Sequence, residues 1–228
     1  MGPEATASLY LGIVGRCQQE LGAKYNSDFP SIIMNSCPVP DGRMWKGFDR
    51  CEVERVLRFN VKLLEKAGVD FIAVPCNSAH YFLPVMRKAV GIPILSIVEE
   101  TAKEIRAEGL TKILLLATEF TVNRHVYDKP LADRGITLVR PNAAQKRRVE
   151  KMIVRVESGR RSASDRAALM GIVSVLRKKV GVEGVIAGCT EIPLLIQPRD
   201  IPVPLFDTID ILASSAYALI RGKRSFRD

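Results

Sequence analysis

The chain lacks long apolar runs, and this limits where the protein can work. No apolar stretch in its 228 residues approaches the roughly 18 that a membrane-spanning helix needs. The first residues also lack the basic and apolar regions of a secretory signal. We therefore expect a cytoplasmic protein that does not enter a membrane.

Aromatic residues are scarce, at 6% of the chain, although the protein is strongly basic, with a net charge of +9. The basic residues do not interleave with aromatic ones, which disfavours a nucleic-acid partner. The densest basic region, residues 140–166, fits the outward, solvated face of a helix. A positive field would also attract a small dianionic substrate.

The cysteines lack the pattern of a disulfide framework or a metal site. Their number, five, is odd, and no two have the C-x-x-C spacing of thiolate zinc sites. We expect free thiols and no metal. Cys17, Cys37 and Cys51 are assigned to structure, because a lone cysteine is usually a small buried hydrophobe.

The sequence does contain one distinctive stretch twice. Residues 68–76 and 181–189 each have a glycine, an acidic residue two places on, an apolar run, and a cysteine eight places after the glycine. These cysteines, Cys76 and Cys189, lie about half the chain apart. A strand and loop that occur twice predict two similar halves, each of which contributes one thiol to a shared site.

Strands alternate with helices nearly throughout, which predicts an α/β fold with mainly parallel sheets. The helices are expected over residues 4–21, 49–66, 99–108, 121–134, 143–156, 162–179 and 208–221. The strands are expected over residues 31–34, 68–76, 93–97, 112–117, 136–139, 185–187 and 203–206. We divide the chain into residues 1–98 with 208–228 and residues 99–207, related by a pseudo-two-fold axis, with the site between them.

Ligands of such sheets bind at the carboxyl ends of strands, where both repeated cysteines lie. Two thiols from two similar halves suit a nearly symmetric reaction. In a racemisation, one thiolate removes a proton from a carbon while a thiol delivers one to the opposite face. Loop amides and the side chains of Asn77, Ser78 and Thr190 are suited to bind a substrate carboxylate.

Two motifs carry a resemblance to a known family. Pro-Cys-Asn-Ser-Ala-His at residues 75–80 and Gly-Cys-Thr-Glu-Ile-Pro-Leu-Leu at residues 188–195 resemble the aspartate/glutamate racemase family. Within it, they are most similar to the cofactor-independent aspartate racemases. The resemblance implies two similar α/β domains, no pyridoxal phosphate, no metal, and a homodimer that acts on an acidic amino acid.

The resemblance also implies roles for individual residues. Cys76 and Cys189 would be the two acid/base residues. Asn77, Ser78, Thr118 and Thr190 would hold the carboxylate and ammonium groups of the substrate. Three further residues are candidates for substrate binding and selectivity: Asp41, Arg43 and Glu191.

Glu191 stands where glutamate racemases have histidine, which favours aspartate or a broader range over strict glutamate. Arg43 lies one residue later than the carboxylate-binding arginine of the family. Relatives usually open with a short strand just before Met-Gly-Pro, the tripeptide with which this chain begins. Either the natural start lies upstream or the first sheet is remodelled.

Two other functions remain open at this point. A maleate isomerase-like enzyme or a decarboxylase of the same superfamily would use one cysteine as a nucleophile. A relative that has lost catalysis would bind a ligand without turnover. His80 lies four residues after Cys76, and we expect it to bond locally rather than to activate the thiol.

Overall fold

The computed structural model describes residues 2–40, 49–222 and 225–226. Asp41 and Arg43 lie outside the described residues. The chain divides into two compact units, one of Met1–Ile97 with Ile209–Asp228 and the other of Val98–Thr208. Both units combine helices with parallel strands, so the expected α/β class is confirmed.

The first unit contains α1 (Pro3–Leu21), α2 (Arg50–Lys66), β1 (Ile72–Ala73), α3 (Leu83–Arg87) and β2 (Ile94–Leu95). β1 and β2 pair in parallel, with Ile72 opposite Ile94. Asp49 caps α2 by accepting from the backbone N–H groups of Cys51 and Glu52. Val53, Leu57 and Val61 form the buried stripe of that helix, at the spacing that the sequence predicts.

The second unit begins within α4 (Ile97–Ala107), of which only Ile97 belongs to the first unit, and contains a parallel sheet in the order β4-β3-β5-β6. Its strands are β3 (Lys112–Leu116), β4 (Thr137–Val139), β5 (Gly184–Ala187) and β6 (Leu205–Asp207). Its further helices are α5 (Glu119–Asn123), α6 (Asp128–Ala132), α7 (Ala143–Glu157) and α8 (Ala163–Val180). The last helix, α9 (Thr208–Ile220), follows β6 and belongs almost entirely to the first unit.

The core of the second unit explains why β3 and β5 read as unbroken apolar runs. Leu114, Leu116, Val185 and Ala187 are buried in one cluster with the inner faces of α7 and α8. Strands covered by helices on both faces are apolar on both faces. On the other side of α7, Arg147, Arg148 and Lys151 are exposed, as predicted for the basic region.

Three expectations about the elements were wrong. Residues 31–34 form no strand, since Ile33 and Met34 are about half exposed and the neighbouring Asn35 bonds to Asn60 of α2 rather than to a strand. The predicted helix over residues 121–134 is two short helices, α5 and α6. They are separated where His125 adopts a positive φ of 56°. The strand predicted over residues 68–76 pairs only at Ile72–Ala73.

None of the helices in residues 2–40 and 49–222 is long and apolar enough to cross a membrane.

Candidate active site

Cys189 lies just past the carboxyl end of β5, directly after Gly188, which packs closely against the segment that follows β3. Gly188 continues the pairing by donating to the carbonyl oxygen of Leu116 at 2.8 Å. A Cβ atom at Gly188 would lie 2.5 Å from Leu115 Cδ1 and 3.0 Å from Ala117 Cβ. A side chain at Gly188 would therefore force Leu115 and Ala117 of the neighbouring segment to shift, and the next residue is the cysteine.

The Cys189 thiol has a carboxylate partner. Its Sγ donates to Glu191 Oε2 at 2.8 Å, and Thr190 Oγ1 donates to the same oxygen at 3.1 Å. Glu191 is 7% exposed, whereas Cys189 and Thr190 are half-buried. A thiol, a hydroxyl and a buried carboxylate thus form one hydrogen-bonded group, which can hold and move a proton.

Thr118 shares the sheet edge of Cys189. Leu116 lies opposite Ala187 in the parallel pairing of β3 and β5, so both residues follow their strand by two positions. Thr118 is buried, its hydroxyl accepts from Thr121 N, and the two threonine hydroxyls are 3.0 Å apart. Its side chain therefore caps α5, and its predicted contact with substrate stays a prediction.

Cys76 follows β1 in the first unit and is half-buried. Its N–H donates to Val74 O at 2.9 Å, and its own carbonyl oxygen lies 2.8 Å from His80 Nδ1. Asn77 is buried and Ser78 is half-buried, at the start of the 3₁₀ helix Ser78–Phe82. The cysteine and both polar side chains thus stand together after a strand end, as predicted.

Both ring nitrogens of His80 have backbone partners. Nδ1 faces the Cys76 carbonyl oxygen and therefore carries the proton, while Nε2 accepts from Ile97 N–H at 3.1 Å. This pattern requires the neutral ring, because a protonated Nε2 could not accept. The expectation that His80 bonds locally is confirmed, and its effect is to join the cysteine loop to the start of α4.

The remaining cysteines differ in exposure. Cys17 and Cys37 are buried, as expected, but the expectation of a buried side chain is wrong for Cys51, which is exposed in the first turn of α2. Burial raises the pKa of the Cys17 thiol, which keeps that thiol protonated within α1. In the part of the chain that the structure describes, no group of three or more His, Cys, Asp or Glu side chains is placed to hold a metal ion.

Sequence reasoning missed two contributors to the site. Gly188 was not singled out, although a glycine directly after an apolar strand is a recognised signal of close backbone approach. Thr208, which is fully buried, donates its hydroxyl to Ala187 O at 3.1 Å and so holds the last residue of β5. Both residues act through backbone placement, and Thr208 carries no comparable signal in the sequence.

The fold and the site together define a parallel α/β protein with acid–base side chains at strand ends. The sequence profile of the Asp/Glu/Hydantoin racemase family matches residues 1–216. The chain belongs to this family, and it is therefore an isomerase.

Relatives match nearly the whole chain. The broad specificity amino-acid racemase of Bacillus subtilis is 29% identical over 215 residues, which cover 94% of this chain and 92% of the relative. A putative Asp/Glu racemase from Yersinia pestis has a TM-score of 0.84 and 30% identity, covering 96% of both chains. An aspartate racemase homologue from Pyrococcus horikoshii has a TM-score of 0.80 and 28% identity, covering 96% of this chain and 95% of its own.

Proposed function

We propose that the protein is a cofactor-independent amino-acid racemase that interconverts L- and D-aspartate through two cysteines. The observation that carries the proposal is the thiol after a strand end in each unit, Cys76 and Cys189, in a member of a racemase family. Both are half-buried, so each has surface from which a substrate could be reached.

The chemistry needs one thiolate and one thiol. The thiolate takes the α-proton, and the electron pair of the broken C–H bond stays on the α-carbon next to the carboxylate. The thiol then delivers its proton to the opposite face of that carbon, and the two sulfurs have exchanged their protonation states. The proposal therefore requires that both sulfurs reach a single carbon.

Polar side chains beside the thiols would hold the charged groups of the substrate. Asn77 and Ser78 follow Cys76, whereas Thr190 and Thr118 lie at the sheet edge of Cys189. Hydroxyl and amide groups at strand ends, together with loop N–H groups, suit the α-carboxylate and the ammonium. Arg43 is the candidate for the side-chain carboxylate, and Asp41 stays a candidate for substrate binding.

The names of the relatives leave the substrate range open. The Bacillus subtilis relative is a broad specificity amino-acid racemase, whereas the Pyrococcus horikoshii relative is an aspartate racemase homologue. We propose aspartate as a substrate and expect further amino acids to turn over. A net charge of +9 supports an anionic substrate.

The test is exchange of the α-proton in D₂O, followed by proton NMR with no cofactor added. The protein should exchange the α-proton of both L- and D-aspartate. The same assay with L-glutamate and L-alanine measures its substrate range. Cys76→Ser and Cys189→Ser should each lower racemisation by at least about 100-fold, because a hydroxyl is a far weaker acid than a thiol and supplies almost no conjugate base at neutral pH. Loss of exchange with every amino acid, or full activity in either serine variant, would overturn the proposal.

The same variants distinguish the other reactions of this superfamily. A maleate isomerase-like enzyme needs one cysteine as a nucleophile. It would tolerate loss of the other cysteine and form a covalent adduct visible by intact-mass spectrometry.

A further inference from the structure

We propose that Glu191 keeps the proton on Cys189, so that in the resting protein Cys189 is the thiol that donates and Cys76 is the thiolate that abstracts. The assignment of the two roles rests on the proposed racemase function. The placement of the proton rests only on the geometry around Cys189.

The geometry is a hydrogen bond that requires a protonated sulfur. Cys189 Sγ lies 2.8 Å from Glu191 Oε2, and this oxygen also accepts from the Thr190 hydroxyl at 3.1 Å. An ionised carboxylate can only accept hydrogen bonds, so beside it the sulfur is the group that supplies the proton of this bond. The proton between Cys189 and Glu191 therefore belongs to the sulfur.

Electrostatics favour the same state. A carboxyl group is a far stronger acid than a thiol, so a single negative charge shared by two such groups lies on the carboxylate. Glu191 is 7% exposed, so water screens its charge poorly. Ionising Cys189 would place a second negative charge beside the first in this partly dry site, which disfavours the thiolate.

The two copies of the motif differ at this point. The position two residues after the cysteine is Glu191 in the second copy and Ser78 in the first. A neutral serine places no formal charge beside Cys76. Since a two-base racemase needs one thiol and one thiolate, the proton held on Cys189 leaves the thiolate role to Cys76.

Initial rates of turnover cannot by themselves reveal which of the two sulfurs holds the proton. The two enantiomers have equal free energy in water, so kcat/KM must be equal in the two directions whichever sulfur holds the proton. The bias appears instead in the reactivity of each cysteine, because the thiolate rather than the thiol is the nucleophile.

The test is alkylation by iodoacetamide with no substrate present, with each cysteine read separately by peptide mass spectrometry. For each cysteine, the rate near neutral pH is divided by its plateau rate at high pH. This ratio reports the fraction of thiolate and removes differences in access.

In the wild-type protein the ratio should be larger for Cys76 than for Cys189. Glu191→Gln should raise the Cys189 ratio by at least about fivefold, because the charge that opposes the thiolate is gone. Glu191→Asp, which keeps the carboxylate, should stay nearer to wild type. The control is Glu108→Gln, an exposed glutamate of the same unit, which should leave both ratios unchanged.

An unchanged Cys189 ratio in Glu191→Gln, or a wild-type ratio larger for Cys189 than for Cys76, would overturn the inference. Because alkylation needs no turnover, its outcome is separate from that of the racemase proposal. If the alkylation ratios are as expected but no α-proton exchange is found, the proton lies on Cys189 as argued, and only the racemase function is refuted.

Discussion

Glu183 shows how one residue of the repeated stretch serves the sheet rather than the chemistry. It is the acidic residue two places after Gly181, and its carboxylate accepts from Thr111 N at 2.6 Å and from Lys112 N at 3.0 Å. Its own N–H donates to Lys112 O at 2.9 Å. Glu183 therefore ties the chain entering β5 to the start of β3 and sets the register that brings Cys189 to the sheet edge.

These bonds make stability depend on pH. The backbone N–H groups of Thr111 and Lys112 hold the pKa of Glu183 below its ordinary value. A carboxyl group with a depressed pKa in the folded state stabilises the fold above its unfolded pKa of about 4.3, and this contribution is lost as the pH falls further. Glu183→Gln should therefore be less stable than wild type near neutral pH, and the difference should shrink below about pH 4.3.

The measurement is urea unfolding from neutral to acidic pH. Glu108→Gln, whose side chain is exposed, is the matched control and should follow wild type throughout. A stability difference for Glu183→Gln that stays constant over the whole pH range would refute this role.

Gly188 is the second residue whose role is steric. Gly188→Ala would place a methyl group 2.5 Å from Leu115 Cδ1, so the variant should lose about 1–3 kcal/mol of stability. Under the proposed function it should also lose activity in the folded state, because Cys189 is the next residue. Urea unfolding and α-proton exchange measure the two effects.

Gly171 offers the matched control for that substitution. It lies exposed within α8, and a Cβ there would meet no atom within 4 Å. Gly171→Ala should stabilise the protein by up to about 1 kcal/mol through helix propensity. If Gly188→Ala behaved like Gly171→Ala, the packing argument at the site would be wrong.

At the level of elements, α1 shows that the spacing of apolar residues, rather than the local composition, decides between helix and strand. Residues 11–15 are rich enough in apolar and glycine residues to suit a strand, yet they continue the helix Pro3–Leu21. The buried residues of α1 recur every fourth position, at Ala5, Leu9, Ile13 and Cys17. One face of a helix is thereby buried, whereas a strand would have turned successive side chains to opposite sides.

The contact between α1 and α9 explains one of the two glycines in that stretch. A Cβ at Gly12 would lie 2.9 Å from Ala213 Cβ of α9, whereas a Cβ at Gly15 would meet nothing within 4 Å. Arg16 joins the same two helices through an ion pair with Asp210 at 2.9 Å. Gly12 therefore permits close approach of the helices, and Gly15 does not serve this contact.

These two glycines form a pair of matched variants. Gly15→Ala should raise the free energy of unfolding by up to about 1 kcal/mol, because alanine has the higher helix propensity. Gly12→Ala gains the same propensity but costs about 1–3 kcal/mol in overpacking, so it should be neutral or destabilising. Equal stabilisation by both substitutions in urea unfolding would contradict the close contact.

At the scale of the whole molecule, the two units differ in how the chain builds them. Val98–Thr208 is one continuous segment, whereas the other unit combines Met1–Ile97 with Ile209–Asp228. The sequence analysis placed these divisions at residues 98/99 and 207/208. Several of the basic residues behind the net charge of +9 lie on the exposed face of α7, so their charges stay outside the core.

The sequence alone determined the order of most elements, the α/β class, the family and the place of Cys76 and Cys189 after strand ends. These features follow from local periodicity, from glycines that end helices and from motif residues. Gly68 and Gly181, which open the two copies, have φ angles of 80° and 74°, a conformation that favours glycine wherever it occurs.

Only the tertiary structure decided which residues pair. Strand length depends on a partner strand, so residues 31–34 form no strand despite their composition, and β1 pairs over only two residues. The thiol partner of Glu191, the neutral ring of His80 and the need for glycine at Gly188 also depend on hydrogen bonds and contacts that form only in the folded chain. Secondary-structure propensity depends on residues that are close in sequence. A hydrogen-bond partner depends instead on which distant residues the folded backbone brings close together.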